Sequence, residues 1–190
     1  MPAVDAARAH AIVRASGCRT AKVKVAEPGQ SPTDDLHRVE AVRHALGPDG
    51  HVRIDANAAW DTDTAVRRIR DLDSAAAGLE YVEQPCATLE ELAAVRRRID
   101  VPIAADESIR RADDPLAVRL AGAADIAVLK VAPLGGVRAA LEVAERCGLP
   151  VVVSSALETS VGIAAGVALA AALPDPVSYT HLTLPTTPYV

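Results

Sequence analysis

Lys22 and Lys24 lie in a stretch that alternates apolar and charged residues, Ala21-Lys22-Val23-Lys24-Val25. Alternate side chains of a β-strand share one face, so a strand here would present both ammonium groups together. Two ammonium groups so close together are favourable only beside anions. A solvated strand face is the ordinary explanation for one such pair, but the acidic residues that follow favour a functional role.

Asp55, Glu83 and Asp106 each close a separate predicted strand. Three converging carboxylates repel one another unless a cation lies among them, and hard oxygen ligands of this kind suit Mg²⁺, with Mn²⁺ as the alternative ion. A single acidic residue at a strand end is more often a helix cap or a surface group. Because all three recur at a regular spacing, together they predict a site for a divalent cation.

Lys130, in Val128-Leu129-Lys130-Val131, is flanked by apolar residues on a strand predicted to be buried on both faces. Burying an ammonium group without a partner is costly, so we expect Lys130 to face the acidic residues. The alternative is a lysine at the strand edge whose amine reaches solvent.

A divalent cation with a lysine on either side suits removal of a hydrogen next to a carboxylate. That hydrogen is very weakly acidic, and its removal puts negative charge on the carboxylate oxygens, where a divalent cation stabilises it. A lysine can be the base near neutral pH when a second ammonium group and the cation lower its pKa. We therefore expect Lys22 to lower the pKa of Lys24, and a small-molecule carboxylate to be the substrate.

The elements that would position these residues are strands alternating with helices. Helical patterns of about ten to fifteen residues separate the strands, which indicates βαβ units and a parallel sheet. The predicted strands are residues 20–25, 51–55, 78–83, 101–106, 126–131 and 149–154.

Regular spacing of the strand ends favours a barrel. The residues that close the strands lie 31, 28, 23, 24 and 24 positions apart, as in a repeated βα unit. In a parallel barrel all carboxyl ends meet at one rim, where active sites are built. A doubly wound sheet is the alternative, although no G-x-G-x-x-G follows the first strand to mark a dinucleotide site.

Composition argues against several classes of partner. The chain of 190 residues has a net charge of −5 and only 2% aromatic residues. It therefore offers neither a basic surface for nucleic acid or an anionic membrane nor a platform for base stacking. Its three cysteines are far apart and form no C-x-x-C pair, so we expect a cytoplasmic protein. The oligomeric state is not predicted.

Residues 177–190, VSYTHLTLPTTPYV, differ in composition from the rest of the chain. They contain four Thr and two Tyr but no Asp, Glu, Lys or Arg. The stretch Val177 to Thr187 resembles the translation of a transposon-end adapter used in DNA sequencing libraries. We expect a partial barrel domain over residues 1–176 and a loosely ordered, non-native tail over 177–190, with a genuine edge strand as the alternative.

The strand-end motifs resemble those of the enolase superfamily, over roughly residues 18–175. AKVKV, RIDANAAW, YVEQP, IAADES and VLKVAPLGG look like successive motifs of its muconate-lactonising subgroup. Within that subgroup, VEQPCATLEELAAV, VLKVAPLGGVRAAL and VVVSSALETSVGIAAG look most like the o-succinylbenzoate synthases of the actinobacterial type. Members of the superfamily pair a Lys or His base with Mg²⁺.

The resemblance implies a metal site and a base at the strand ends. Asp55, Glu83 and Asp106 would bind Mg²⁺. Lys24 would take the proton and then, as its conjugate acid, assist the departure of hydroxide from the neighbouring carbon. Lys22 would tune Lys24.

Further roles are implied for five residues around them. Lys130 would stabilise the anionic ring from the opposite face through a cation–π contact. Asn57 and Glu107 would support the ligands and the base. Ser154 and Ser155 would bind a substrate carboxylate, the alternative being that they cap the following helix.

The resemblance covers a barrel that this chain does not complete. A TIM-type barrel has eight strands in about 250 residues, whereas six are predicted here. The family's capping domain and its first and last barrel strands have no predicted counterpart. The expected fold is therefore an incomplete TIM-type (β/α) barrel of about six βα units, and we expect these 190 residues alone to be inactive.

The implied reaction of the full-length protein is a Mg²⁺-dependent dehydration. It converts 2-succinyl-6-hydroxy-2,4-cyclohexadiene-1-carboxylate to o-succinylbenzoate in menaquinone biosynthesis. An N-acylamino acid racemase or a dipeptide epimerase would use the same lysines, and either is an alternative. A third alternative is an inactive fragment.

Overall fold

Parallel strands and helices alternate through residues 1–110, 116–173 and 176–179, the part of the chain that the computed structural model describes. The strands are β1 Thr20–Lys24, β2 His51–Asp55, β3 Leu79–Glu83, β4 Ile103–Ala105, β5 Ile126–Lys130, β6 Val151–Ser154 and β7 Pro176–Tyr179. The helices are α1 Ala6–Ser16, α2 Pro32–Leu46, α3 Thr62–Ala76, α4 Leu89–Arg96, α5 Glu107–Arg110, α6 Leu116–Leu120, α7 Val137–Cys147 and α8 Ser160–Ala172.

The order of the strands in the sheet is their order in the chain, β1 to β7, and every neighbouring pair is parallel. Each of the first six strands is followed by a helix, as in an α/β barrel that has not closed. The predicted incomplete barrel of six βα units is therefore confirmed. Because all the strands run in one direction, their carboxyl ends share one rim.

Helix boundaries follow local capping signals that the sequence carries. Thr88 and Glu91 form a capping box at the start of α4, in which each side chain accepts a hydrogen bond from the other residue's backbone N–H, at 3.2 and 3.1 Å. Ser31 and Asp34 do the same for α2. A short helix, α5, begins at Glu107 and was not predicted; it follows a strand that ends at Ala105, one residue earlier than expected.

Each of the central strands is buried on both of its faces. Val52 and Ile54 point from β2 into the large aliphatic core that the helices cover. On the inner face of the sheet, a smaller buried cluster is formed by Tyr81, Ala104, Ile126, Val128 and Val152. Alternation along the strands therefore turns the polar candidate residues towards the enclosed inner side.

The segment Pro176–Tyr179 forms β7, which pairs with β6 and places Tyr179 opposite Val153. The prediction of a non-native tail over residues 177–190, with a genuine edge strand as the alternative, stays a prediction. Residues 180–190 lie outside the described residues.

None of the described helices is long and apolar enough to cross a membrane. The apolar helix α8, which ends at Ala172, has 13 residues.

A buried guanidinium group connects the end of β1 to α2. The Arg38 side chain is 1% exposed and donates hydrogen bonds to Lys24 O at 2.9 Å, to Val4 O at 2.6 Å and to Asp35 Oδ1 at 2.8 Å. Asp35 Oδ2 in turn accepts from the backbone N–H of Ala26 at 3.0 Å. This buried ion pair therefore determines where the chain leaves β1, immediately after Lys24.

Replacing Arg38 should destabilise the fold. Arg38→Met leaves the buried Asp35 carboxylate with only the more distant Arg68 guanidinium, 3.9 Å from its Oδ2, so we expect the free energy of unfolding to fall by about 3 kcal/mol, measured by urea denaturation. Arg8→Met changes an exposed arginine of α1 and should cost no more than ~0.5 kcal/mol. Equal effects of the two substitutions would show that the Arg38 ion pair does not hold β1 to α2.

Candidate active site

Adjacent strands bring three candidate residues side by side at the rim. Lys24 lies opposite Asp55 in the register of β1 and β2, and Asp55 lies opposite Glu83 in that of β2 and β3. On β4, Ala104 lies opposite Glu83, and Asp106 follows it by two residues, on the same face. The three predicted metal ligands therefore stand at consecutive strand ends.

The Lys22 ammonium group lies between two of these carboxylates. Its Nζ is 3.0 Å from Asp55 Oδ2 and 2.6 Å from Glu83 Oε1. The Lys22 side chain is 5% exposed and that of Glu83 is 1% exposed. Lys22 is thus a buried counterion of the acidic residues. Its predicted effect on the pKa of Lys24 stays a prediction.

Burial and charge act in opposite directions on this cluster. Burial lowers the pKa of Lys22, but the carboxylates of Glu83 and Asp55 outweigh it, and the pKa is raised. Burial raises the pKa of Asp55, and Lys22 and Lys24 outweigh that effect, so the pKa is lowered. For Glu83 burial is the stronger influence: its pKa is raised to about 7, despite Lys22.

Lys130 lies against the third carboxylate. Its Nζ donates to Asp106 Oδ2 at 2.6 Å, and the Lys130 side chain is only 12% exposed. Ser154 lies opposite Lys130 in the register of β5 and β6 and is buried, and Ser155 is half-buried. The N-cap of the next helix is Thr159, so neither serine stands at that position.

Asn57 connects Lys24 to the acidic residues. Its Oδ1 accepts a hydrogen bond from Lys24 Nζ, and its Nδ2 is 3.5 Å from Glu107 Oε1. Its backbone N–H donates to Asp55 Oδ1 at 3.1 Å. Both residues predicted to support the site therefore lie in it. Lys24 and Lys130 are half-buried, whereas Lys22 is buried.

The chemistry of the acidic residues suits a hard divalent cation. In this structure their carboxylates form ion pairs with Lys22 and Lys130. Among residues 1–110, 116–173 and 176–179, no group of three or more His, Cys, Asp or Glu is arranged to hold a metal ion. Glu83 Oε2 is nevertheless buried without a hydrogen-bond partner in that part of the chain. A buried carboxylate oxygen with no donor is a ready ligand for Mg²⁺.

Two features of the rim were missed in the sequence. The chain has only three lysines, Lys22, Lys24 and Lys130, and all other basic residues except histidine are arginine; a plain count of lysines would have marked the site. Beneath the acidic residues, the buried Arg53 guanidinium lies 4.9 Å from the centre of the Tyr81 ring. Arg53 precedes Asp55 by two residues, so alternation along β2 could have placed it on the same face.

Cys86 is not an activated nucleophile. It is fully buried, and burial raises the pKa of its thiol to about 12, whereas reactive cysteines have a lowered pKa. Cys86 therefore belongs to the packed core.

Comparison with known proteins identifies related chains. The family model described as enolase C-terminal domain-like matches residues 4–187. An o-succinylbenzoate synthase of Thermobifida fusca is 73% identical over 175 residues, which are 92% of this chain and 55% of that protein. The chain thus spans about half the length of the curated relatives it matches.

Solved structures with the same fold include two epimerases. The L-Ala-D/L-Glu epimerase of Bacillus subtilis, solved with substrate, has a TM-score of 0.80 and is 32% identical, covering 92% of this chain and 49% of its own. The dipeptide epimerase of Enterococcus faecalis, solved with Mg and a dipeptide, has a TM-score of 0.79 and is 34% identical, with the same two coverages.

Amine-reactive labelling should distinguish the three lysines, because no other lysine is present. We expect Lys22 to react last, since it is buried and its pKa is raised, and the half-buried Lys24 and Lys130 to react earlier. Peptide mass spectrometry after timed acetylation measures the order, with denatured chain as the control in which all three react alike. Labelling of Lys22 as fast as Lys24 in the folded chain would contradict the buried ion pair.

Stability should depend on pH through Glu83. The unfolded carboxyl ionises near pH 4.5 and the folded one near pH 7, so the folded state binds more protons between these values. This contribution is fully present below about pH 4.5 and is lost as the pH rises through 7. We expect the free energy of unfolding of the metal-free chain to fall over this window relative to Glu83→Gln, measured by urea denaturation at several pH values. Parallel profiles for the two proteins would exclude Glu83 as the titrating group.

Proposed function

Because the chain belongs to the enolase C-terminal domain-like family, we propose that it forms the part of an o-succinylbenzoate synthase that carries the catalytic lysines and the metal ligands. The reaction is the dehydration of 2-succinyl-6-hydroxy-2,4-cyclohexadiene-1-carboxylate to o-succinylbenzoate, a step of menaquinone biosynthesis in the cytoplasm. The observation that carries the proposal is the register that sets Lys24, Asp55 and Glu83 side by side. Identity of 73% to a relative of that name supports it.

Three carboxylates would hold the metal. Bound by Asp55, Glu83 and Asp106, Mg²⁺ would supply positive charge to the oxygens of the substrate carboxylate. The buried, unpartnered Glu83 Oε2 supports this assignment. Lys22 and Lys130 balance the same carboxylates in the chain described here.

Lys24 is the base of the proposed reaction. Its amine takes the proton from the carbon next to the substrate carboxylate, the electrons of that C–H bond form a new C=C bond, and hydroxide leaves the neighbouring carbon. The ammonium form of Lys24 returns the proton to the departing hydroxide, so water is the second product. Asn57, hydrogen-bonded to Lys24 Nζ, holds the amine in place at the rim.

The opposite side of the site carries Lys130. Three strands separate it from Lys24 in the sheet, so the two amines approach a bound ring from different directions. Asp106 holds the Lys130 ammonium group at 2.6 Å, and that charge would stabilise an anionic ring by a cation–π contact. Ser154 and Ser155 lie beside Lys130 and would bind the second carboxylate of the substrate.

The second candidate function is epimerisation. Both solved structures described above are named epimerases. The same placement of Lys24 and Lys130 would let one lysine remove a proton and the other return it on the opposite face. The lysines, the metal ligands and their geometry are common to both reactions, so only an assay separates them.

A chimaera can test the reaction. The 175 matched residues of this chain replace their counterparts in the Thermobifida fusca protein, and the product is assayed with Mg²⁺ on the cyclohexadiene carboxylate and on dipeptides. We expect dehydration and no epimerisation, and the 190-residue chain alone should turn over neither. Epimerisation without dehydration would replace the proposal by its alternative, and a folded chimaera inactive on both substrates would refute both.

Within the chimaera, Lys24→Ala should lower kcat for dehydration by about 100-fold or more, because it removes the base, while substrate binding is retained. The control, Arg14→Ala, removes an exposed cation from α1 and should leave kcat unchanged. Activity retained in Lys24→Ala would remove Lys24 as the base.

Asp55→Asn should weaken the dependence of the chimaera's dehydration activity on Mg²⁺, because it removes one of the proposed metal-binding carboxylates.

A further inference from the structure

Gln84, which directly follows Glu83, is fully buried and has a backbone φ of +38°. A residue with a side chain rarely adopts this left-handed conformation, so holding it there is unfavourable. Burying a primary amide is a further cost unless all of its groups are hydrogen-bonded. Both costs are borne at the end of β3, so the environment of Gln84 must compensate for them.

Every hydrogen-bonding group of the Gln84 amide has a partner. Its Oε1 accepts from the backbone N–H of Asp106 at 3.0 Å and from that of Ser108 at 3.2 Å. Its Nε2 donates to Cys86 O at 2.9 Å and to Ser108 Oγ at 2.8 Å. The reversed amide would face two N–H donors with its own NH₂ group, so the partners determine its orientation.

These bonds extend the pairing of β3 and β4 beyond the ladder. The two in-register pairs are Val82 with Ile103 and Glu83 with Ala104, and the backbone N–H of Gln84 donates to Ala104 O at 2.8 Å. Past that point the backbone of Asp106 is held by the Gln84 side chain. The amide therefore sets where Asp106 lies relative to Glu83.

The Gln84 backbone reaches the third strand end as well. Its carbonyl accepts from the N–H of Ala58 at 2.7 Å, and Ala58 follows Asn57, whose own N–H binds Asp55. One residue thus connects the segments that carry Asp55, Glu83 and Asp106.

We propose that Gln84 is a positioning residue that fixes where the Asp106 carboxylate lies relative to the Glu83 carboxylate, and so tunes their joint affinity for a divalent cation. It acts through the backbone of Asp106 and does not touch the ion. This inference rests on the proposed function, because it takes those carboxylates as metal ligands. Residues that orient metal ligands typically contribute 10- to 100-fold to metal affinity.

The test compares two glutamines in the chimaera. Gln84→Met keeps the length of the side chain but leaves the N–H groups of Asp106 and Ser108 without their acceptor. We expect Mg²⁺ affinity, measured by calorimetry, to fall about 10- to 100-fold. In the metal-free protein, hydrogen exchange over residues 104–108 should become faster.

The control is Gln30→Met. Gln30 also bridges two segments, donating to Ala3 O at 2.7 Å and accepting from Arg38, but it lies away from the acidic residues. It should lower thermal stability while Mg²⁺ affinity and exchange over 104–108 stay unchanged. A purely structural role of Gln84 would make the two substitutions alike, and that result would overturn the proposal.

If Gln84→Met does not fold, Ser108→Ala serves as the second variant. It removes one of the four hydrogen bonds of the Gln84 amide and should weaken Mg²⁺ binding about 2- to 5-fold. Unchanged Mg²⁺ affinity in Ser108→Ala would overturn the proposal.

If the unsubstituted chimaera binds no Mg²⁺, the proposed function is refuted, and hydrogen exchange decides separately whether Gln84 holds the Asp106 segment. Exchange over 104–108 unaffected by Gln84→Met would then refute that role.

Discussion

Burial of three carboxylates at one rim requires positive charge, and the rest of the site follows from this constraint. Asp55, Glu83 and Asp106 are all nearly inaccessible to solvent, so neither water nor salt screens their mutual repulsion. Lys22 forms ion pairs with two of them and Lys130 with the third. The burial of Glu83 raises its pKa to about 7 despite Lys22. In the proposed function, a divalent cation would supply the remaining positive charge.

The scaffold places these carboxylates by using further buried polar groups. Asp35 and Arg38 hold the chain where it leaves β1, and the Gln84 amide holds the segment that carries Asp106. Loops after parallel strands have no ladder partner, so their backbone N–H groups need acceptors from side chains. In this protein those acceptors come from residues next to the site, which couples the stability of each loop to the geometry of the rim.

The similarity to other proteins extends over most of this chain. The epimerase with a TM-score of 0.80 and the o-succinylbenzoate synthase with 73% identity each cover 92% of it. Membership of the enolase C-terminal domain-like family rests on the match over residues 4–187.

Local signals in the sequence determined the strands, the helix caps and the residue types at the strand ends. Thr88 and Glu91 cap α4 through groups three residues apart, and the β2 strand is the one expected at 51–55, because capping and alternation need only near neighbours. Only the tertiary structure decided which charges meet. Lys22 reaches Asp55 and Glu83 across 33 and 61 positions of sequence, Gln84 binds the backbone of Asp106, and residues 177–179 pair with β6. These contacts depend on strand register and side-chain rotamers, which are settled by the packing of distant segments and leave no local pattern in the sequence.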